Sequence, residues 1–390
     1  MASVVVALAV FVGSAARVLP TLLAVPIQHN LGWQTSDVAW PITLGIAVSA
    51  LAAPLAAHGL ERSGVRSSLF ASLVLLAASL ASTTFATAPW HLVVAWGLGL
   101  GFSGSLSASI LAVTIGSRDE AAHCGTRFGL LASMQFLGSA AGLLAASRAA
   151  DAAGWRDVFH VAAAAALTTA FASIAFVRTG TGAAPRRPAS GRGGCPRAMG
   201  TNRRLWVFAA IFFICGASTS GLIDGGLGIL CMGTGLGLPS SADVLVIAVL
   251  GSAAGSAASG FLADRYPSRI LLALYFAARA IALIWLPFTG LSVVELSRFG
   301  AFYGVDAALT FPALVRLMPA NLGHRNLSAT MGWMSVAHVA GAVITSASVG
   351  YLGLAAYAVG FAVVGLVCLL AAGLVLLLKD APRETAGSNR

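Results

Sequence analysis

What the chain has least of is charge. Of its 390 residues only 9% are Asp, Glu, Lys or Arg, where a soluble domain carries about 25%. With 58% apolar residues beside them, the polar groups cannot cover a water-exposed globule. The basic charge is almost wholly arginine, Lys379 being the one lysine. Cysteine is sparse too: five residues without a Cys-x-x-Cys pair exclude a disulfide scaffold and offer no zinc spacing. A mean hydropathy of +0.88 excludes disorder. No His-Glu-x-x-His, no Gly-x-Ser-x-Gly and no metal-ligand cluster occurs, so nothing points to an enzyme, a metal or a cofactor. The net charge of +10 does not indicate nucleic acid either, because no basic face with interleaved aromatics exists outside the apolar runs. A multispanning membrane protein remains, with the lipid bilayer as its solvent.

What is present in abundance is long apolar runs. A helix rising about 1.5 Å per residue needs about 20 residues to cross a ~30 Å hydrocarbon core. Twelve segments qualify: 4–26, 38–58, 68–87, 91–115, 127–147, 158–177, 205–229, 242–262, 270–288, 292–315, 326–349 and 353–378. With the amino terminus inside, 18 of the 23 Lys and Arg fall in cytoplasmic loops and tail, and only Arg148 and Arg156 fall outside. Positive charge sorted this way predicts an even number of spans with both termini cytoplasmic. Trp33, Trp90, Trp155, Trp206 and Trp285 stand near span ends, where indole rings anchor at the interface.

Residues 179–203 are rich in Gly, Pro and Arg and divide the chain into a six-span unit over 1–178 and another over 204–380, followed by a tail over 381–390. The halves share a loop pattern. Glu61-Arg62-x-x-x-Arg66 follows the second span, and Asp264-Arg265-x-x-x-Arg269 follows the eighth, 203 residues later. Equal motifs at equivalent places predict duplicated, pseudo-symmetric halves.

This organisation resembles the major facilitator superfamily, whose loop after the second helix, repeated after the eighth, carries an acid-Arg pair with a further basic residue. More narrowly, Leu31-Gly32-Trp33-Gln34-Thr35, Gly154-Trp155-Arg156-x-x-Phe159, Phe212-Phe213-Ile214-Cys215-Gly216, Phe302-Tyr303-Gly304-Val305-Asp306 and Gly332-Trp333 are similar to the bacterial branch of the monocarboxylate-transporter-like group. The resemblance implies an all-α fold of twelve spans in two six-helix bundles. It also implies a secondary transporter that alternates access to a mid-membrane site, and it makes Glu61, Arg62, Arg66, Asp264, Arg265 and Arg269 a cytoplasmic gate. The chain departs from the mammalian-type pattern at Ser252 and Ser256, where those relatives carry an Asp and an Arg, at Gly226, where bacterial relatives often have a His, and in the loop from Arg118 to His123.

An ionised side chain in hydrocarbon costs about 2.5–3.5 kcal/mol on the mildest scale, so each one needs a reason. Those that call for one are Arg17, Asp224, Arg279, Arg298 and Asp306, with His338 as a titratable companion. Arg17 has no acid on its own helix, so its guanidinium needs either a partner on another helix or an anionic substrate held by paired hydrogen bonds. In the family branch, an arginine precedes Pro and Gly-Trp in the first helix, as Arg17 precedes Pro20, Pro26 and Gly32-Trp33 here. Arg279 lies ten residues outward of Arg269, and Asp306 ten residues short of Arg316; equal depth predicts a buried ion pair. Asp224, in the seventh span, either couples proton movement to anion binding or is an ordinary solvated acid. His338 binds substrate, carries a proton or packs between helices. Gln135, with Ser103 and Ser107 one turn apart, lines a polar path or eases helix contact. Arg298 and Glu295, three apart, satisfy each other.

The expectation is therefore a proton-coupled, monomeric carrier of a small organic anion. Arg17, Gln135, His338 and Asp306 bind substrate in this reading, and Asp224, Asp306 or His338 handles the proton. A drug or metabolite efflux pump and a transporter-fold sensor are the alternatives. Gly99-x-Gly101-x-x-Gly104 matches a dinucleotide fingerprint but lies inside the fourth span, so it reads as close helix packing, as do Gly251, Gly255 and Gly260.

Overall fold

The computed structural model describes residues 2–107, 124–177, 203–224, 226–322, 327–352 and 357–380, and every regular element among them is helical. The first half contains α1 (Ala2–Arg17), α2 (Leu19–Leu31), α3 (Thr35–Leu51), α4 (Ala53–Thr84), α5 (Pro89–Leu92), α6 (Cys124–Ala153) and α7 (Trp155–Phe176). The second contains α8 (Arg203–Gly216), α9 (Leu227–Gly233), α10 (Leu238–Arg265), α11 (Ser268–Trp285), α12 (Val293–Leu322), α13 (Leu327–Leu352) and α14 (Tyr357–Leu376). Two π-helical stretches, Val93–Leu100 and Ala217–Asp224, continue α5 and α8.

The breaks follow from local chemistry. α1 and α2 run almost continuously through Val18, and the rod ends at Gly32, whose φ of 68° lets its N–H turn back to the Gln28 carbonyl. α3 starts where the Asp37 carboxylate accepts the Gln34 N–H at 3.0 Å. Within α4, Gly64 at φ 76° reverses the chain, separating the expected second and third spans at the repeated loop.

Among the described residues, seven segments have both the length and the hydropathy to cross a membrane: Val5–Leu31, Arg62–Thr84, Trp155–Phe176, Arg203–Asp224, Leu238–Ser259, Ser268–Phe288 and Val359–Leu376. The described residues of the other expected spans are helical as well. Thr35–Leu51 is a shorter apolar helix, while α6, α12 and α13 have 30, 30 and 26 residues and carry more polar groups. The outside of the molecule is apolar, with Leu51, Val161, Phe171, Phe288, Val359 and Leu370 exposed as lipid contact requires.

Packing repeats between the halves. α4 lies on α7 as α11 lies on α14; α1 lies on α6 as α8 lies on α13; and α3 lies on the Val93–Leu100 stretch as α10 lies on α12. The aromatic contacts repeat too: Trp96 stacks on Phe159 at 6.3 Å, and Phe299 meets Phe361 at 6.2 Å. Small residues set the spacing, since a Cβ at Gly101 would lie 2.8 Å from the Gly45 carbonyl oxygen, and one at Gly251 would lie 2.6 Å from that of Ala301. Across the halves, α10 packs on α6, α13 on α3, and α9 on α2.

Two expectations about span ends are corrected. Trp155 is buried, donating its indole N–H to Asn30 at 3.3 Å under a stacked Arg156, because the start of α7 packs between the ends of α2 and α4. Glu295 and Arg298 form no ion pair. The Glu295 carboxylate instead accepts the Ser292 N–H and hydroxyl, both at 3.0 Å, and so caps the start of α12, while Arg298 lines an apolar groove with Trp285 and Phe302.

Candidate functional site

Between the halves lies a cavity of about 540 Å³. Its wall is built from α1 and α2 (Ser14, Arg17, Thr21), α6 (Gln135, Ser139), α8 with its π-helical continuation (Cys215, Thr219, Asp224), α10 (Leu245 to Ser259), α12 (Tyr303, Gly304) and α13 (His338). At one end it is shut where α2 and α9 meet: a Cβ at Gly228 would lie 2.8 Å from the Thr21 carbonyl oxygen, so only glycine permits that approach. From there the wall extends along α10 toward the end of the bundle that carries the repeated acid-Arg loops.

Arg17 is half-buried in this wall. Its Nη1 donates to the Ser107 hydroxyl at 2.7 Å and to the Ser103 carbonyl at 3.5 Å. The serines are themselves braced. The Ser72 hydroxyl contacts Ser107 Oγ at 2.9 Å and donates to the Ser103 carbonyl at 3.0 Å, and the Ser103 hydroxyl donates to the Ser72 carbonyl at 2.9 Å. Among the described residues no carboxylate pairs with Arg17, so a cation faces the cavity with neutral partners only.

Arg279 has a different environment. It is 0% exposed, and its Nε donates to Asp306 Oδ2 at 2.6 Å, with Asp306 4% exposed. Nη1 donates to the Ser218 hydroxyl at 3.0 Å and Nη2 to the Thr310 hydroxyl at 2.6 Å, while Phe276 and Tyr303 flank the guanidinium. The Tyr303 hydroxyl donates to the Ser218 carbonyl. Every face of this arginine is occupied. Asp306 therefore turns to Arg279, not into the cavity wall, and its expected part in binding substrate and proton is corrected on that ground; its neighbours Tyr303, Gly304, Ala307 and Ala308 face the cavity instead.

The other expected residues do meet in one place. Gln135, Asp224 and His338 all line the cavity. Asp224 is exposed to it, and Cys215 and His338 stand in the same wall. Ser252 and Ser256, at the positions of the mammalian-type Asp and Arg, also line it. Sequence reasoning missed Cys215, Thr219 and Tyr303 as wall residues and Ser72 as the brace for Arg17; each is a small or aromatic polar group on an apolar helix, and only helix rotation reveals which face it takes.

Of the residues expected to form a gate, Arg62, Arg66, Arg265 and Arg269 do not line the cavity. Arg62 and Arg265 are exposed, Arg66 and Arg269 half-buried, and the side chains of Glu61 and Asp264 lie outside the described residues. Arg269 ties α11 to the end of α14, its N–H reaching Asp380 and its Nη1 the Leu378 carbonyl, both at 3.4 Å. Residues 178–202 and the loop from Arg118 to His123 are also outside the described residues.

An all-helical membrane bundle with two similarly packed halves around a polar-lined cavity has the build of a secondary transporter. The chain belongs to the Major Facilitator Superfamily, whose family profile matches residues 5–294. Among solved structures it is similar to a bacterial homolog of the human lysosomal transporter Spinster in an inward-facing and occupied conformation. The TM-score is 0.72 at 14% identity, over 96% of this chain and 95% of that one, a likeness of fold. No curated protein matches the chain.

Proposed function

We propose that this protein moves a small organic anion, a carboxylate by the chemistry of its site, across a bacterial inner membrane by alternating access, with uptake coupled to protons. The two six-helix halves, 1–178 and 204–380, rock about the cavity while both termini stay cytoplasmic and the chain acts as a monomer. With that orientation, the end shut at Thr21 and Gly228 faces outward and the cavity opens inward.

The observation that carries this reading is the charge balance of the cavity wall. Among the described residues Arg17 presents a guanidinium bonded only to a hydroxyl and a carbonyl, while the fully buried Arg279 is cancelled by Asp306. A carboxylate takes two parallel N–H bonds from such a group, and removal from water strengthens them. The mostly apolar remainder, with Val18, Phe136, Leu143, Ile223 and Leu245, suits the body of an organic anion. Lipophilic cations, the commoner cargo of efflux pumps, meet a like charge at Arg17, which weighs against that alternative.

Proton coupling rests on Asp224 and His338. The anion brings a second negative charge into the cavity that Asp224 lines, and two negative charges in one cavity of low dielectric favour taking up a proton on the Asp224 carboxylate. The test is flux in proteoliposomes holding an internal pH-sensitive dye, challenged with a panel of mono- and dicarboxylates. Wild type acidifies the lumen in response to a panel anion, Arg17→Ala is silent, and Asp224→Asn takes up the labelled anion without acidification. Acidification by Asp224→Asn at the wild-type rate would remove that residue from the proton path.

A further inference from the structure

The guanidinium groups of Arg17 and Arg279 dock on corresponding positions of the duplicated halves. The register that relates the repeated loops, 203 residues, also relates packing: Gly101 approaches the carbonyl of Gly45 as Gly304 approaches that of Ala248, and Gly138 of α6 lies on the α1 backbone as Gly341 of α13 lies on the α8 backbone. The same shift carries Gln135 onto His338, both in the cavity wall. It carries Ser103 onto Asp306 and Ser107 onto Thr310.

Hydrogen bonding around the two guanidinium groups repeats at those positions. In the first half one nitrogen of Arg17 reaches the Ser107 hydroxyl at 2.7 Å and the Ser103 carbonyl at 3.5 Å. In the second, one nitrogen of Arg279 reaches the Thr310 hydroxyl at 2.6 Å and the Asp306 carbonyl at 3.5 Å. The arginines arrive from different helices, α1 in one half and α11 in the other, yet each docks on the same backbone carbonyl and on the hydroxyl four residues later. One difference remains: the second half supplies a carboxylate at position 306, and the first half supplies a serine at 103, whose hydroxyl is turned to Ser72.

We infer that Ser103 is a specificity-determining position of the anion site: by withholding the carboxylate that its counterpart Asp306 gives to Arg279, it leaves the Arg17 charge for the substrate. This rests on the anion-binding reading above and adds to it the residue that keeps the site vacant. Ser107 is a positioning residue, since its hydroxyl fixes the guanidinium edge opposite the incoming anion. The substrate's acid group completes in the first half the charge pair that the second half makes internally. An acid introduced at 103 or 107 closes the site from within.

The test has two arms. The first is a double-mutant cycle on thermal unfolding of the full-length protein in micelles, with Ser103→Asp, Arg17→Gln and both together. Ser103→Asp is expected to be tolerated with Arg17 present and to lower Tm by several degrees more in the Arg17→Gln background. Equal shifts in both backgrounds overturn the inference, as does failure of Ser103→Asp to fold where the isosteric Ser103→Asn folds. If neither folds, the half-exposed Ser107→Asp takes its place in the same cycle, read in the same way.

The second arm measures uptake of labelled lactate and benzoate in proteoliposomes. Ser103→Asp is expected to lose whichever anion wild type carries while Ser103→Asn keeps it; unchanged uptake by Ser103→Asp overturns the inference. Wild type that carries neither anion counts against the anion-transport reading, and the stability cycle still decides whether an acid at 103 pairs with Arg17.

Discussion

Removing one member of the Arg279–Asp306 pair is the perturbation whose size the geometry fixes best. The pair is closed to water on both sides, and the Nε to Oδ2 bond of 2.6 Å is the one charge-neutralising contact Arg279 has among the described residues. Asp306→Asn leaves the guanidinium its bonds to Ser218, Thr310 and the Asp306 backbone carbonyl, so geometry survives and neutrality does not. An uncompensated buried charge of this kind costs about 3–5 kcal/mol, roughly a hundredfold or more in the folding equilibrium. Arg279→Gln removes the cation and strands the carboxylate at a similar cost. The double variant, Arg279→Gln with Asp306→Asn, holds no buried charge and regains a large part of either loss, giving a coupling of about 2–3 kcal/mol. Reversible unfolding in mixed micelles, followed by tryptophan fluorescence, measures all three. Single-variant effects that add to within ~0.5 kcal/mol would show that the two groups do not depend on each other and would refute the reasoning.

Two further outcomes follow from contacts across the halves. Gly228→Leu inserts a side chain where even a Cβ meets the Thr21 carbonyl, so spin labels on α2 and α9 should report a widened end and transport should stop; an unchanged label distance contradicts closure at that contact. The Thr43 and Ser346 hydroxyls share a buried 2.8 Å hydrogen bond between α3 and α13, and Thr43→Val with Ser346→Ala should remove about 1 kcal/mol from the present conformation, moving its population about fivefold toward the opposite-facing one in the same label experiment.

Much of the helical architecture was legible in the chain because membrane physics writes it in plain patterns: long apolar runs and a motif repeated at fixed spacing. The Arg279–Asp306 pairing was legible for a related reason, since two opposite charges at one depth in hydrocarbon have few other solutions. What hydropathy cannot give is helix rotation. It left Asp306 open as a cavity residue, when in fact its carboxylate turns to Arg279. It also paired Glu295 with Arg298 on spacing alone, whereas the free N–H at the start of α12 claims the carboxylate. The bracing of Arg17 by Ser72, Ser103 and Ser107 depends on three helices meeting, and serines on apolar helices are too common to mark such a junction in advance.

The central claim is that Arg17 holds the substrate anion, and equilibrium binding tests it most directly. Purified wild type, Arg17→Gln and Asp224→Asn are titrated with benzoate and lactate at fixed pH and read by calorimetry. Two charge-assisted hydrogen bonds at about 1.5–3 kcal/mol each predict a loss of at least about 3 kcal/mol, roughly a hundredfold in Kd, for Arg17→Gln, while Asp224→Asn still binds. Binding by Arg17→Gln at the wild-type affinity would contradict the account.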